Sequence, residues 1–508
     1  MIIKSIIKPN TYIDSMSLMA LSTKVNQLPL VKKAMIGMGT DMNKQVINDV
    51  GLMDQSIESA GRSDLIIVFQ VEKESDIDTV IAEITQLQNS KQSDDTTHKS
   101  FSSLSKAIKS DEMSNLALFS IPGEYVYQEA KLALDNDKNV MIFSDNISVE
   151  EEISLKKIAI EKDLLLMGPD CGTAIINGAG LCFANKVTRG DIGIVAASGT
   201  GSQEVSVQID RLGSGVSQLI GVGGRDLSED VGGIMMLHAM KMLENDPQTK
   251  VITLISKPPA KIVEQKIIEV AQKIKKPIVI CFIGTKDASQ TGNVTIVPNT
   301  LLAAKKATEL SLGKEISIPA YQTDLRKLTA DLAPSQKNLR GLFAGGTVCD
   351  EVFYELIDDI AVTSNVAGEI TSRNKFGEAF TGHCVIDFGD DEYTQGRAHP
   401  MIDSTFRSQA IIDQANDPSV ALIAMDFELG FGANEDPVGS VLPHIIEAQA
   451  IAKSAQRSLI FVTYLLGTDL DYQGKKAQQK ALEDAGVVVV DSVATLGEVT
   501  KSLLQSIA

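Results

Sequence analysis

The sequence of 508 residues predicts an α/β protein with several domains, each built around a parallel sheet. Short apolar runs alternate with helix-like runs along the chain, and most apolar runs are followed closely by Gly, Ser, Asp or Pro. This alternation is typical of buried parallel strands joined by crossover helices. Domains contain about 100–200 residues each, so the length predicts three or four of them.

The strands that this pattern predicts lie at 65–70, 117–120, 140–143, 192–196, 251–255, 278–282, 339–343, 420–425, 459–462 and 487–491. Two stretches between them have the composition of linkers. Residues 86–103 are polar and rich in Ser, Gln and Asp, which predicts a mobile loop. Residues 313–338 contain a glycine, two prolines and scattered charges, which predicts a linker at a domain boundary.

The composition excludes several classes of partner. A formal net charge of −19 gives an acidic surface that repels nucleic acid and anionic membranes, so neither is expected to bind. The five cysteines are odd in number and lack close metal-ligand spacing, which predicts reduced thiols and no metal site. No apolar run reaches about 18 residues, and the first residues are too short an apolar run for a signal peptide. These features predict a cytoplasmic protein.

A turn of small residues after the predicted strand 192–196 is the first candidate anion site. The turn consists of Ser198, Gly199, Thr200 and Gly201, and a helix is predicted to follow it. Unpaired backbone N–H groups at such a helix N-terminus favour a phosphate or carboxylate, and glycines let it approach closely. A plain strand–turn–helix with a capping hydroxyl group explains the same residues equally well.

The same arrangement recurs at Gly345, Gly346 and Thr347, which follow the predicted strand 339–343 and precede a helix. Two such helices that face one anion would place their partial positive ends on opposite sides of it. The sequence therefore predicts a phosphate site that needs no Lys or Arg.

A third glycine turn contains Gly223, Gly224 and Arg225, at the end of an apolar run that begins at Leu219. Arg225 is a candidate for a positive charge beside an anion, and a tight turn without a ligand is the alternative. Cys171, in the sequence GPDCGT, is a candidate ligand contact or a small buried residue, because no base is evident near it.

The segment 390–403 gathers charged and titratable side chains. Arg397 is a candidate clamp for a carboxylate, and His399 a candidate general acid or base with Asp403 close by in the chain. An exposed polar loop with local salt bridges is the alternative. A further group of loop acids either binds a cation or is solvated, and consists of Asp426, Glu428 and Asp436.

Three segments resemble the α-subunit of succinyl-CoA synthetases, namely 168–176 (GPDCGTAII), 190–204 (GDIGIVAASGTGSQE) and 221–226 (GVGGRD). Residues 121–123 and 144–149 look like the CoA-binding Rossmann-type domain of that family. Residues 339–508 look like the carboxy-terminal ligase domain of its β-subunit. The resemblance implies Rossmann-like and flavodoxin-like domains that bind CoA or a related nucleotide. It implies substrate or cofactor contacts at Pro122, Asn146, Asp170, Cys171, Gly223, Gly224 and Arg225.

The chain is also similar to the FdrA group of acyl-CoA-synthetase-like proteins. The segments that carry this similarity are 167–174 (MGPDCGTA), 183–185 (FAN), 197–205 (ASGTGSQEV) and 387–403 (DFGDDEYTQGRAHPMID). The predicted organisation is an amino-terminal α/β domain at 1–112, a CoA-binding Rossmann-like domain at 113–188, a ligase domain of α-subunit type at 189–312, a linker at 313–338 and a ligase domain of β-subunit type at 339–508.

One departure from the synthetases concerns their phosphorylated histidine, which lies in a short loop after the strand that follows the glycine turns. The matching stretch here, 281–298 (CFIGTKDASQTGNVTIVP), contains no histidine. The nucleotide-binding ATP-grasp half of the synthetases is also not found in this sequence.

These features lead to a hypothesis about function. A free acyl phosphate or carbamoyl phosphate is expected between the turns 198–201 and 345–347, where the helix ends would stabilise the charge of the leaving phosphate. The FdrA resemblance implies an oxamate carbamoyltransferase subunit in allantoin degradation. The alternatives are a CoA ligase completed by another subunit and a non-catalytic, nucleotide-binding scaffold. The expected partners are small anionic metabolites, copies of the chain in a homo-oligomer, and other subunits.

Overall fold

The computed structural model describes residues 1–11, 13, 15–90, 100–111, 113–322, 324–366, 373–394 and 398–507. The chain divides into two compact units. The first unit is Met1–Glu112 with Thr394–Asp403, and the second is Met113–Tyr393 with Ser404–Ala508. Within the described residues, the first unit contains one sheet and the second contains three.

The first unit is built on a three-stranded antiparallel sheet in the order β1-β3-β2. Its strands are β1 (Ile2–Lys8), β2 (Lys33–Met38) and β3 (Leu65–Val71). Its helices are α1 (Ser15–Asn26), α2 (Asp41–Asp49), α3 (Gln55–Ser59), α4 (Ile77–Ser90) and α5 (Leu104–Ser110), with a 3-10 turn at Glu74–Asp76.

The central strand β3 corrects the expectation of parallel pairing, because both of its neighbours run antiparallel to it. Alternate residues of β3 face two cores. Ile67 and Phe69 pack in the cluster that contains residues of α1 and α4, whereas Ile66 and Val68 pack in the cluster that contains residues of α2 and α3. Burial on both faces produces an unbroken apolar run in either strand direction, so the run did not reveal the pairing.

The predicted loop at 86–103 is also corrected in part. Residues 86–90 form the end of helix α4, because a polar sequence without Gly or Pro can continue a helix. Residues 91–99 lie outside the described part of the chain. Ser103 then caps α5, its hydroxyl group accepting a hydrogen bond from the backbone of Lys106.

The second unit begins with a small parallel sheet in the order β4-β5-β6, made of β4 (Leu116–Phe119), β5 (Asn139–Ile142) and β6 (Leu166–Met167). Helices α6 (Gly123–Asp135) and α7 (Val149–Glu161) connect these strands. Because the strands are parallel, the loops that follow them share one edge of the sheet.

An eight-stranded, mostly parallel sheet follows, in the order β13-β14-β12-β11-β9-β10-β7-β8. Its strands are β7 (Thr173–Ile176), β8 (Ala179–Cys182), β9 (Arg189–Ala197), β10 (Val216–Gly221), β11 (Val251–Ser256), β12 (Ile278–Phe282), β13 (Ser289–Thr291) and β14 (Val294–Ile296). Its helices are α8 (Gly199–Arg211), α9 (Ile234–Asn245), α10 (Lys261–Ala271) and α11 (Thr300–Leu312). Strands β7 and β8 come from the segment 113–188, yet they join this sheet through β10.

The last sheet has six strands, all parallel, in the order β16-β17-β15-β18-β19-β20. A short helix, α12 (Leu325–Thr329), precedes it in the stretch predicted as a linker. The strands are β15 (Asn338–Phe343), β16 (Val362–Ser364), β17 (His383–Asp387), β18 (Val420–Glu428), β19 (Ile460–Leu466) and β20 (Val488–Val490). The helices are α13 (Gly346–Leu356), α14 (Asp391–Thr394), α15 (Thr405–Ala415), α16 (Pro437–Ser454), α17 (Lys475–Asp484) and α18 (Val493–Ile507).

The predicted α/β class with several parallel sheets is confirmed, and every predicted strand overlaps an observed one. In the ranges that the structure describes, no helix is both long and apolar enough to cross a bilayer.

The two large sheets of the second unit are joined by a buried polar network. The hydroxyl group of Tyr464, on β19, donates a hydrogen bond to the carboxylate of Glu204, on α8. Gln208 donates to both Glu204 (3.1 Å) and Tyr464 (3.2 Å), and the backbone of Val493 donates to Glu204 (3.3 Å). Burial raises the pKa of Glu204 against the effect of these donors. The network fixes α8 against the six-stranded sheet.

A fully buried lysine joins α7 to the turn after β10. Lys156 Nζ lies 2.7 Å from Glu152, 2.7 Å from Asp226 and 3.0 Å from the carbonyl oxygen of Val222. Asp226 also accepts hydrogen bonds from two backbone N–H groups at the start of α9. The cation therefore balances two carboxylates that have no access to water.

We predict that Lys156→Met destabilises the second unit by about 3–5 kcal/mol, because it leaves Glu152 and Asp226 buried without their shared cation. Urea denaturation followed by circular dichroism measures the change. Lys131→Met is the matched control, since Lys131 forms an exposed ion pair with Asp135 whose loss should leave the midpoint almost unchanged. Equal midpoints for the two variants would contradict the prediction.

Candidate functional site

The two predicted glycine turns lie against each other in the second unit. Ser198 is the N-cap of α8 and accepts a hydrogen bond from the backbone of Gly201 (3.0 Å). Its hydroxyl group is hydrogen-bonded to the hydroxyl group of Thr347, in the first turn of α13. The backbone N–H of Thr347 donates to Thr200 Oγ1 (3.2 Å). Each helix therefore caps part of the other, and the two N-termini meet.

Glycine is required at both turns because the helix ends approach so closely. A Cβ atom on Gly201 would lie 2.7 Å from Ser198 Oγ and 3.0 Å from Thr347 Cγ2. A Cβ atom on Gly345 would lie 3.0 Å from Thr200 Cγ2. Distances of this size force neighbouring atoms to move, so larger residues would separate the two helix ends.

The second turn differs from the expected phosphate cradle, because acceptors from the chain itself occupy its N–H groups. The carboxylate of Asp426, at the end of β18, accepts hydrogen bonds from the backbone of Ala344 (2.7 Å) and Gly345 (2.8 Å). Arg407 holds the same carboxylate at 2.7 Å. With Thr347 bound to Thr200, a phosphate held by the amides of 345–347 is not what this geometry offers.

A lysine beside the two helix ends supplies the positive charge that the sequence analysis did not expect. Lys257 directly follows β11, and its Nζ lies 3.2 Å from Asp350 Oδ2, on α13. A Cβ atom on Gly346 would lie 3.0 Å from Lys257 Nζ and 2.6 Å from Asp387 Oδ2, so these groups converge on one point. The side chain of Lys257 is 44% exposed, whereas that of Asp350 is 5% exposed. Solvent therefore reaches the cluster from the side of the lysine.

The charges of this cluster shift one another's pKa values. Burial alone would lower the pKa of Lys257, but the adjacent Asp350 and Asp387 raise it above its usual range. Burial raises the pKa of Asp387 to about 7, although Lys257 and the backbone N–H of Gly389 oppose that shift. Burial likewise raises the pKa of Asp350. Lys257 therefore stays positively charged at neutral pH, whereas the pKa of Asp387 lies at about 7.

The loops after β4, β5 and β6 bring together most residues that the resemblance had implied for substrate or cofactor binding. Pro122 is the N-cap of α6, and the next residue, Gly123, lies so close to the carbonyl oxygen of Asn146 that no Cβ atom would fit. Gly223 approaches the carbonyl oxygen of Pro169 equally closely. A Cβ atom on Gly224 would lie 3.7 Å from the carboxylate of Asp170. One edge is therefore formed by closely packed backbone.

Arg225 and Cys171 have structural contacts at this edge. The guanidinium group of Arg225 donates to the carbonyl oxygen of Ile147 (2.8 Å) and lies 3.0 Å from Glu152, while its side chain remains 45% exposed. Cys171 is buried and its thiol faces the carbonyl oxygens of Thr173 and Gly221. Burial raises the pKa of the Cys171 thiol far above its usual range. The cysteine thus fits the packing interpretation rather than a reactive one.

The residues expected to perform acid–base chemistry are placed as follows. Arg397 lies outside the described residues. His399 and Asp403 belong to the first unit. His399 Nδ1 accepts a hydrogen bond from the backbone of Met401 (3.2 Å), and the carbonyl oxygen of His399 accepts one from the backbone of Asp403 (3.0 Å). One ring nitrogen of His399 is thereby used in a local turn.

Sequence reasoning missed the roles of Lys257 and Asp387 and the capping role of Asp426. Each has the same signal, since each lies in or directly after the last residues of a strand that is buried. Polar side chains at the carboxyl ends of parallel strands meet at one edge, which is where α/β proteins bind ligands. That rule would have selected all three.

The loop that matches the phosphohistidine loop of the synthetases packs against α13. Gly284 lies against the ring of Tyr354, and Lys286 forms an exposed ion pair with Asp358 at 2.7 Å. No histidine occurs between Cys281 and Pro298. This loop therefore supplies no imidazole to the junction of the two helices.

Three family models match the chain. A CoA-ligase model matches residues 342–503, and a CoA-binding-domain model matches residues 188–284. A model described as AllF, heavy metal-associated domain, matches residues 1–103. The second unit thus has domains of the CoA-binding and CoA-ligase classes. Helix α8 belongs to the first matched segment and α13 to the second, so their junction is a contact between the two segments.

A protein of Escherichia coli K12, the uncharacterized protein YahF, is 48% identical over 99% of both chains. This chain belongs to the family of YahF, the FdrA family that its motifs resemble. Succinate–CoA ligase subunit alpha 1 of Archaeoglobus fulgidus is 27% identical over 28% of this chain and 49% of its own length. Among solved structures, an ATP citrate lyase from Methanosaeta concilii is 17% identical, with 45% of each chain covered and a TM-score of 0.36.

The residues present do not fit a heavy-metal site in the first unit. The segment 1–103 contains no cysteine, and its only histidine, His98, lies outside the described residues. No group of three His, Cys, Asp or Glu side chains in the described parts of the chain is arranged to hold a metal ion. The described residues of 1–103 therefore offer neither a thiolate nor an imidazole ligand to a soft metal.

The loops after β4, β5 and β6 meet the turn after β10 at one edge. There Gly123 packs against the carbonyl oxygen of Asn146 and Gly223 against that of Pro169, and the partly exposed Arg225, paired with Glu152, brings a positive charge. The carboxylate of Asp170 is suited to accept hydrogen bonds from hydroxyl or amide groups.

We predict that Gly346→Ala lowers the free energy of unfolding by about 1–3 kcal/mol, because the new methyl group is forced against Asp387 and Lys257. Gly199→Ala is the matched control, since the nearest atom to its Cβ lies 3.7 Å away. Urea denaturation of both variants tests the prediction. A loss in Gly199→Ala as large as that in Gly346→Ala would contradict it.

We also predict that Asp387→Asn becomes more stable relative to the wild type as the pH rises from 5 to 8. The folded-state pKa of Asp387, about 7, exceeds its ordinary value of 3.8, so the folded state binds the proton more tightly. The wild type therefore loses stability as the pH rises towards 7, and the amide does not. Urea midpoints of both proteins are measured across this pH range. A difference between the two midpoints that does not change with pH would refute the prediction.

Proposed function

We propose that this chain is an enzyme component of the acid–CoA ligase type that transfers an acyl group between phosphate and an acceptor, using a free acyl phosphate. The observation that carries the proposal is the cluster of Lys257 with the converging N-termini of α8 and α13. Such a cluster favours a phosphoryl group, because the N-terminus of α8 and a lysine stabilise its negative charge, whereas Asp426 already accepts hydrogen bonds from the turn before α13.

In the proposed arrangement, Lys257 binds a phosphoryl oxygen and the first turn of α8 contributes backbone N–H groups. These groups stabilise the charge that develops on the leaving phosphate during acyl transfer. A proton on Asp387 reduces repulsion between its carboxyl group and the phosphoryl oxygens. Phosphate binding is therefore expected to be tighter at pH 6.5 than at pH 8, since Asp387 is protonated below about pH 7.

The acceptor defines two forms of the proposal. In the first, CoA is held along the loops at Pro122, Asn146, Asp170 and Gly223–Arg225, and it supplies the thiol that accepts the acyl group. In the second, the acyl group is a carbamoyl group and the acceptor is oxamate, as the FdrA resemblance implies for allantoin degradation. The CoA-binding and CoA-ligase matches support the first form. Either form allows for further subunits that supply the remaining substrates.

We predict that acetyl phosphate or carbamoyl phosphate raises the melting temperature of the full chain, and that Lys257→Met weakens this binding. Loss of one charge-assisted hydrogen bond is worth about 1.5–3 kcal/mol, which is about 10–100-fold in Kd. Isothermal titration at pH 6.5 measures the effect, and addition of CoA or oxamate with product analysis separates the two forms.

The control is Lys480→Met, because Lys480 forms an exposed ion pair with Asp484 on α17. We expect it to bind acyl phosphates as the wild type does. If neither acyl phosphate nor inorganic phosphate binds the wild type, or if Lys257→Met binds them unchanged, the proposed function is wrong. The non-catalytic scaffold would then be the better explanation.

A further inference from the structure

We propose that strand β1 forms a dimer interface, at which it pairs antiparallel with β1 of a second copy of the chain. Each copy contributes its three-stranded sheet, and the pairing joins the two sheets into a continuous one. The interface lies in the first unit and contains no residue of the candidate site, so it does not depend on the proposed function. Two features support it, namely the unequal protection of the two edges of this sheet and the sequence of β1.

The outer edge of β2 is covered by side-chain amides. Asn26 Oδ1 accepts a hydrogen bond from the backbone N–H of Ala34 (2.8 Å), and Asn26 Nδ2 donates to the carbonyl oxygen of the same residue (2.9 Å). Asn43 Nδ2 donates to the carbonyl oxygen of Met38 (2.8 Å), at the end of the strand. Side chains of the first unit thus occupy backbone groups of β2 that another strand would use.

The outer edge of β1 lacks this protection. Within the described residues, β1 pairs with β3 alone, and no side chain forms a hydrogen bond with the backbone of Ile2–Lys8. The further hydrogen bonds of Ser5 and Lys8 are made by their side chains. A strand edge of this kind presents a row of N–H and C=O groups, which is a template for another strand.

Both faces of β1 carry isoleucines that the first unit leaves partly exposed. Ile2 and Ile6 pack at the margin of the core cluster that contains residues of α1 and α4. Ile3 and Ile7 pack at the margin of the cluster that contains residues of α2 and α3. None of the four is buried, whereas every apolar residue of the central strand β3 is buried. Both cores therefore end at β1, where a further strand would extend them.

The sequence of β1 is complementary to itself in an antiparallel pairing about Ser5. A two-fold axis between identical antiparallel strands sets residues of the same sheet face opposite each other. With the axis at Ser5, all seven residues of β1 are paired. Ile3 then lies opposite Ile7 of the second copy, and Lys4 lies opposite Ile6. The isoleucines of each copy thereby cover the open margins of the cores in the other.

The lysines of β1 disfavour the neighbouring registers. An axis at Lys4 sets this residue opposite its own copy, and an axis at Ile6 sets Lys4 opposite Lys8. A parallel, in-register pairing also sets each lysine beside its copy. Like charges directly opposite each other destabilise a sheet, so the antiparallel register about Ser5 is favoured. The occupant that fits this edge is therefore a second copy of the chain.

The alternative is a monomer in which the exposed Lys4 keeps the edge of β1 unpaired. Sedimentation velocity of the full chain measures its mass, and we expect a dimer. Ile6→Lys sets a lysine opposite Lys4 of the second copy, so it should raise the Kd of the dimer by about tenfold or more. Ile6→Lys combined with Lys4→Glu sets opposite charges there and should restore the dimer. Lys4→Glu alone is the control for the change of charge and should keep the dimer.

A cysteine at the two-fold axis tests the register. In Ser5→Cys the two thiols lie opposite each other, so mild oxidation should link about half of the chains or more, as seen on a non-reducing gel. Lys4→Cys, which lies opposite Ile6, is the matched control and should link at most about a tenth of them. The melting temperature of each variant shows that it is folded.

A monomeric wild type overturns the proposal. A dimer that Ile6→Lys leaves unchanged overturns it as well, and so does a dimer in which Ser5→Cys links no more chains than Lys4→Cys does, because the interface then lies elsewhere. The binding of acyl phosphates is a separate measurement, so each of these results leaves the proposed function as it stands.

Discussion

Two helices that meet by their N-termini impose the main constraint on the second unit. Each helix carries about half a positive charge at that end, so α8 and α13 repel each other where Ser198 contacts Thr347. Lys257 adds a full charge beside them. The structure offsets this charge with carboxylates from the six-stranded sheet and from α13, since Asp426 accepts the N–H groups of the turn and Asp350 and Asp387 flank the lysine. Asp350, Asp387 and Asp426 are scattered in the sequence. In the structure they balance the positive charge at the junction of α8 and α13.

That constraint explains why the turn at 345–347 differs from the expected cradle. A turn without a basic residue was predicted to hold phosphate with its amides alone. In the structure, Asp426 already uses two of those amides and Arg407 holds Asp426 in place. A carboxylate in such a position acts as the resident anion of the helix end. The cationic side chain nearest to the two helix ends is Lys257, which follows β11 of the neighbouring sheet.

Much of the fold could be read from the sequence because buried strands are continuous apolar runs and glycine turns mark their carboxyl ends. The same strand–turn–helix pattern at 198–201 and 345–347 led to the expectation that the two turns lie together. The antiparallel pairing of β3 could not be read, since the run Leu65–Val71 is buried on both faces. Nor could the partnership of Lys257 with Asp350 and Asp387, because these residues are far apart in the chain and only the packing of two sheets brings them together. Strands β7 and β8 also join a sheet that was not expected for them. Apolar content alone does not decide which sheet a strand joins.

The stretch 313–338 has a consequence for concentration. It ties the domain that carries Lys257 to the domain that carries Asp387, and part of it is anchored where Tyr321 donates a hydrogen bond to the carbonyl oxygen of Val489. When two halves of a site are separate molecules, dilution separates them. Here the covalent tether sets a local concentration of each half around the other that does not change when the chain is diluted. The assembly of this junction within one chain is therefore a first-order process, and its rate does not depend on the concentration of the protein.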